Sequence, residues 1–301
     1  MGPVDALSRA LVERHAAVGE ALGTPAIAAF ELAPEPRPDG RRNNFGFLRL
    51  TDGTVGLTYV ALDGAREGLA RALPGLELAG RSPLEFLPRF ADGAPWERAL
   101  GLAAINAIAQ HALARSGPAP AMPDNLELLG APGRRDGNRP DEGRRVGMVG
   151  HFGRLVGPLV ERGVELTVVE LDPALARREP GLEVTLDPVR LAGCEAVAIT
   201  GTTLLNGTLG RLLARCAGAR EVHLLGPSAS CLPEVPFAAG ATSIGGFRVD
   251  DPDLFARRWR EGGRWRDAGV RYLIRRDAKR GGTRGATAVS GARDERDFAR
   301  R

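Results

Sequence analysis

Thiols, metal-binding spacings and long apolar runs are what this chain has least of. Its three cysteines, Cys194, Cys216 and Cys231, are odd in number and far apart. That excludes a disulfide framework and fits a reducing compartment. No CxxC, HxxxH or HExxH spacing occurs, which excludes a four-cysteine site and a metalloprotease helix. No apolar run approaches the ~20 residues that cross a bilayer. The opening stretch MGPVDALSRALVERH carries charges through its apolar positions, unlike a secretory signal. A cytoplasmic protein without membrane contact is the expectation. Aromatics make up only 5% and arginine replaces lysine nearly everywhere, a compositional bias that says little about function.

Hydrophobic residues at 43% and charged residues at 26% give the balance of a soluble globular protein. At 301 residues, the length suits two domains, each with its own core. A net charge of +4 and a pI near 9.5 point towards nucleic acid only until the surplus is located. Much of it sits in RRDAKRGGTRGATAVSGARDERDFARR, which lacks apolar periodicity and reads as a disordered basic tail over 277–301. No recognition motif accompanies the charge, so no nucleic-acid partner is expected.

The first half reads as α+β. Residues 4–22 place Leu7, Leu11, Val18 and Leu22 at helical spacing before Gly23 and Pro25. FGFLRLTDGTVGLTYVAL alternates as a hairpin around Asp52-Gly53. Ser82, Pro83 and Glu85 form a capping box, and APWERALGLAAINAIAQHALAR is a long helix apolar nearly all round. Asn106 lies in that helix. A buried amide left unpaired costs about 1–3 kcal/mol, so Asn106 needs partners, in its own half or in the other. Residues 116–144, rich in Pro, Gly and charge, read as a linker between a domain over 1–115 and another over 145–276.

In the second half strands and helices alternate: RVGMV, a helix over 155–161, ELTVVE, a short strand over 183–186, a helix over 189–191, AVAIT, LGRLLARC, EVHLL, TSIGGF, and DLFARRW after Asp251-Pro252. Apolar strands taking turns with helices make a parallel sheet covered on both faces. Ligands bind such sheets at the carboxyl ends of the strands. Three loops meet that edge. VGMVGHFG carries Gly147, Gly150 and Gly153, a loosened dinucleotide fingerprint, with Glu170 ending the next strand where an acid takes ribose hydroxyls. His151 sits inside it as a candidate ligand or proton-transfer group; His15, His111 and His223 lie on helices or in a strand. TGTTLLNGT supplies Thr200, Thr202, Thr203, Asn206 and Thr208, more polar groups than capping requires, with Thr208 placed to cap the next helix. GPS at 226–228 is the third loop.

The glycine turn, the acid-ended strand, TGTTLLNGT and GPSASCLPEVPFAAGA together resemble the bacterial and archaeal heavy-metal chelation domain family. GTVGLTYVAL with ALGLAAINAIA is similar to its companion, a small domain related to the enolase N-terminal fold. The resemblance covers most of residues 20–275. It implies a Rossmann-like second domain and a ligand site in the interdomain cleft. The positions that match are Asn106, Gly150, His151, Phe152, Glu170, Thr200, Gly201, Thr202, Asn206, Thr208, Gly226, Pro227 and Ser228. Two positions depart from the pattern: Gly153 follows the His-Phe pair where proline is common, and Cys194 stands where an acid is common.

Three functions remain open at this level. The chain binds a metal or a ready-made metal chelate; or it is an enzyme using S-adenosylmethionine or a nicotinamide dinucleotide (NAD), with Glu170 on the ribose; or it is an interaction module with a vestigial cleft. Soft metals want clustered thiolates or imidazoles, which leaves His151 with Glu170, or a chelate gripped by the loops. A small-molecule partner is expected in the first two cases, and a homo-oligomer is compatible with all three.

Overall fold

Glycine at position 56 decides how the first half packs. The computed structural model describes residues 5–34, 44–117, 120–123, 125–130, 142–150 and 152–276. Its first half begins with helix α1 (Ala6–Leu22), capped by Asp5 through a 3.1 Å bond from the Leu7 amide. Strands β1 (Ile27–Leu32), β2 (Phe45–Leu50) and β3 (Val55–Tyr59) form an antiparallel sheet in that order. After α2 (Ala65–Leu76), the Ser82 capping box opens a 3-10 turn that runs into α3 (Leu87–Asp92). Helix α4 (Pro95–Arg115) then lies on the sheet, with every residue from Ala99 to His111 buried. A methyl at position 56 would sit 2.1 Å from the Ala103 carbonyl oxygen, so only glycine lets the α4 backbone reach β3. This contact sets Asn106 beside Leu57.

The predicted hairpin is β2–β3. Strand β1 was not among the predicted elements: its residues, IAAFEL, carry no strict alternation, and pairing with β2 outweighs propensity.

Helix α5 (Asn125–Leu129) falls within 116–144, and Leu128 and Leu129 are buried in the second half. Ala121 bridges to Tyr272 in the same stretch. The second half continues β4 (Arg145–Val149), α6 (Gly153–Glu161), β5 (Glu165–Val169), β6 (Arg177–Glu179), β7 (Leu182–Thr185), β8 (Ala196–Thr200), α7 (Thr202–Leu205), α8 (Leu209–Arg215), β9 (Glu221–Leu225), α9 (Glu234–Ala238), β10 (Ser243–Val249), α10 (Pro252–Arg260) and β11 (Gly269–Arg275). The sheet order is β11-β10-β9-β8-β4-β5-β7-β6. Strands β10, β9, β8, β4, β5 and β7 are mutually parallel; β11 and β6 are antiparallel additions at the two edges. The six parallel strands have the doubly wound order of a Rossmann-like domain, and the order reverses between β4 and β8. The helix expected over 189–191 is a 3-10 turn, Pro188–Gly193.

Two separate cores were expected, and the structure has a shared one. A single apolar cluster runs from Leu11, Phe86 and Leu100 through Val149 and Ile199 to Val222 and Ile244. A second cluster lies under α6, around Met148, Leu159 and Val168. A third joins Phe47 of β2 to Phe255, Trp259 and Trp265, with ring centroids 4.9–5.7 Å apart. The three edge-on pairs among them, Phe47 with Phe255, Phe47 with Trp259 and Phe255 with Trp265, add about 0.5–1.5 kcal/mol each beyond area burial. The halves are therefore welded together, which fixes whatever lies at their junction.

Candidate functional site

Three turns interlock where the sheet order reverses. Gly150 follows β4 with φ +84°, and its amide donates to Val169 O over 3.0 Å. A side chain there would meet the Thr200 methyl at 2.8 Å. Gly201 follows β8, donates to Leu225 O over 2.8 Å, and lies so close to the next loop that a methyl would sit 2.7 Å from Ala229 N. Gly226 follows β9 with φ +122° and donates to Gly245 O over 2.9 Å. Glycine is needed at 150 and 226 for conformation, since side chains avoid φ values that positive. Gly147, by contrast, sits inside β4 under Leu191, Cys194 and Val197. It serves packing, and the apparent fingerprint reduces to the Gly150 turn.

Asn106 closes this edge from the first half. Its side-chain nitrogen donates to Leu57 O over 2.7 Å and to Ser228 O over 3.1 Å. Both candidate partners, its own half and the other, are thus engaged at once. Its Oδ1 is buried without a partner, as are Thr58 Oγ1 and Ser228 Oγ on the two segments it bridges. Phe152 packs against the cluster under α6, and at the strand ends Gly150, Glu170, Thr200, Thr202, Gly226 and Pro227 are all half-buried. So is Tyr59, at the end of β3; burial and, secondarily, the Glu170 carboxylate raise its pKa. Tyr59 therefore lies within electrostatic reach of Glu170 from the other half. No sequence signal marked it, because only the docking of the halves brings it there.

TGTTLLNGT is mostly bonded to itself. Thr203 Oγ1 donates to Thr200 O over 2.7 Å, while Thr202 makes only long contacts, 3.3 and 3.4 Å, to Thr200 Oγ1. Thr208 was expected to cap α8 and does not: its hydroxyl donates to Asn206 Oδ1 over 2.7 Å and makes no bond to the helix. Arg98 of α4 donates to Leu204 O and Leu205 O, pinning the end of α7 from the first half. Thr200, Gly201 and Thr202 stand at the joint. Asn206 and Thr208 lie beyond α7, where Gly207 approaches Arg98. His151 lies outside the described residues.

Comparison with known proteins now decides the family. Residues 138–273 match a domain model described as "Putative heavy-metal chelation", and residues 45–109 match a second model with the same description. The chain belongs to the family that these two models describe. An uncharacterized protein of Methanocaldococcus jannaschii is 32% identical over 158 residues, 52% of this chain and 56% of its own length. The chain thus spans about half the length of the curated relative it matches. Crystal structures of family members of unknown function, from Pyrococcus horikoshii and Desulfitobacterium hafniense, share 21% and 23% identity. Each aligns with 89% of this chain and 99% of its own, with a TM-score of 0.65, and so shares the fold.

The family description can be tested against the donor atoms. Among the described residues, no group of three or more His, Cys, Asp and Glu could hold a metal ion. All three thiols are buried, and burial pushes Cys216 and Cys231 up to about 12, so both stay protonated at neutral pH. Soft metals bind the thiolate. His15 is also committed: Nδ1 donates to Leu11 O and Nε2 accepts from the Leu232 amide. His223 bonds Ser243, and His111 is held between Asp52 and Arg115. The described residues do not fit a bare heavy-metal ion. Among them, no helix is long and apolar enough to cross a membrane.

Proposed function

We propose that this chain binds a small polar ligand in the cleft between its halves, at the carboxyl edge of the sheet, and that a metal reaches it only as part of an organic chelate. The observation that carries this reading is the joint at Asn106. A buried polar group without a partner costs about 1–3 kcal/mol. Asn106 Oδ1, Thr58 Oγ1 and Ser228 Oγ all lack one, on segments that Asn106 itself ties together. Three such groups gathered on these segments support a guest that supplies donors and acceptors there.

The surrounding residues define that guest. The start of α6, which no side chain caps, favours a carboxylate or phosphate. Phe152, Thr200, Thr202, Pro227 and Ser228 line the cleft. Glu170 accepts from hydroxyl or amine donors, and Tyr59 donates or accepts beside it. Asn206 and Thr208 shape the turn that carries Thr202. A domain division at 1–115 and 145–276 puts this cleft at the boundary.

A second reading rests on Glu170 alone. It ends the strand beside the glycine turn, with Val149 and Val169 in register, where an acid takes a ribose diol. That favours an enzyme using S-adenosylmethionine or NAD. Thermal-shift titration separates the readings. Stabilisation by metal–organic chelates or small organic anions, with none by bare divalent metals, supports the first. Stabilisation by adenosyl compounds alone replaces it with the second. A response to bare metal alone contradicts both.

A further inference from the structure

On the β7 side, the large sheet ends in a strand that none of the described residues covers. β6 pairs antiparallel with β7, Arg177↔Val184, Arg178↔Glu183 and Glu179↔Leu182, and is the terminal strand. Every residue from 171 to 181 is exposed, although the stretch holds the turn Pro173–Leu175 and β6 itself. Fixing a backbone costs about 1–2 kcal/mol per residue, and this stretch buries no side chain to offset it.

The same region collects the exposed apolar side chains. Among the described residues five large hydrophobics are exposed, and four of them, Leu171, Leu175, Leu186 and Val189, border this edge. On the sheet face opposite α6, the Pro188–Gly193 turn stands where a doubly wound fold carries a helix. It leaves an open trough of about 550 Å³, lined by Arg145, Thr167, Arg178, Glu183 and Val189 among others.

We propose that a second copy of this chain docks here, its β6 pairing antiparallel with the first across a two-fold axis at Arg178. Charge selects the occupant. Arg177 and Glu179 lie on one face of the strand, 3.0 Å apart as an ion pair. Antiparallel pairing centred on Arg178 sets Arg177 of each copy opposite Glu179 of the other. Opposite charges directly across a ladder are stabilising, and like charges are not. Arg178 lies on the other face, in register with Glu183 of its own sheet, a carboxylate that Arg190 also holds at 2.7 Å; the two Arg178 residues meet at the axis, and the two Arg177–Glu179 pairs outnumber that one like-charge contact. A short strand this rich in charge repels unrelated edges, but it is complementary to itself. The contact is isologous and closes at two copies, with the exposed leucines flanking the axis.

Sedimentation or light-scattering mass of the full chain over a dilution series tests this. The wild type gives about twice 31.9 kDa at high concentration. Glu179→Arg gives the monomer mass, and Arg177→Glu with Glu179→Arg together restores the doubled mass. Because these positions are exposed, melting curves of the variants stay close to wild type. In the wild type alone, amide-exchange protection of 177–179 falls as the protein is diluted. A wild type that is monomeric throughout overturns the proposal. So does a dimer indifferent to Glu179→Arg, a double variant that stays monomeric, or protection independent of dilution.

Discussion

Asn106 and Ser228 stand 122 positions apart in the chain, and the side-chain amide of one donates to the carbonyl of the other over 3.1 Å. The same nitrogen donates to Leu57 O over 2.7 Å, so one buried side chain ties helix, hairpin and the loop after β9 together. Asn106→Ala leaves two buried carbonyls without a donor. A loss of about 1–3 kcal/mol in denaturant stability is expected, together with loss of any ligand-induced stabilisation. Asn106→Asp, which turns oxygen towards both carbonyls, is expected to cost more. Stability unchanged in both variants would show that the joint is not held by this residue.

Gly56 makes that joint reachable. Gly56→Ala would drive a methyl to 2.1 Å from Ala103 O and 2.4 Å from Ala107 N, both backbone atoms that cannot step aside. Overpacking of this kind costs about 1–3 kcal/mol, and here the helix must shift bodily. The expected outcome is a melting temperature several degrees lower, with Asn106 displaced from Ser228. A variant that melts like wild type would mean that α4 does not seat on β3 as described.

Two buried histidines set the acid limit. Burial holds His15 and His223 at about 4, below the ordinary 6.5. Between those values the unfolded chain binds the protons and the folded chain does not. Stability is therefore full above about pH 6.5 and falls as the pH drops towards 4, by roughly 3 kcal/mol per group across the whole window. Denaturation midpoints read from pH 7.5 to 4.5 should show the decline, and His15→Gln should remove about one proton from its slope. A flat profile would contradict the burial of both rings.

Glu170 and Tyr59 come within electrostatic reach of each other from opposite halves. Neither is buried, so Glu170→Gln and Tyr59→Phe should leave the free protein's unfolding nearly unchanged. Glu170→Gln should weaken ligand binding by about 1.5–3 kcal/mol, the range for a charged hydrogen bond; Tyr59→Phe should weaken it less. Binding unaffected by both would place the guest elsewhere.

Much of this was legible because the signals were local. Apolar strands alternating with helices gave the parallel sheet, and Ser82, Glu85 and Asp251 marked element starts that the structure retains. What could not be read depended on distant partners. β6 has three charged residues and no apolar pattern; it is a strand only because β7 offers it a ladder. Gly147 looked like part of a phosphate loop, yet the side chains of Leu191 and Val197 claim its space. Thr208 had the right place to cap α8, but Asn206 offers its hydroxyl a competing acceptor two residues away. Tyr59 looked like one more alternating strand residue until the halves were docked. Asn106 was the exception: a polar group in an apolar helix announces a partner without naming it.

The most direct test of a small-ligand cleft is native mass spectrometry of the full chain as purified, beside Glu170→Gln and Thr202→Val. Thr202 makes only long contacts within its own turn, so its loss should spare the fold. The account predicts that the wild type carries an organic adduct of defined mass, with or without a metal in it, released on denaturation and depleted in both variants. A wild type carrying bare metal ions alone, or an adduct retained equally by both variants, would contradict it.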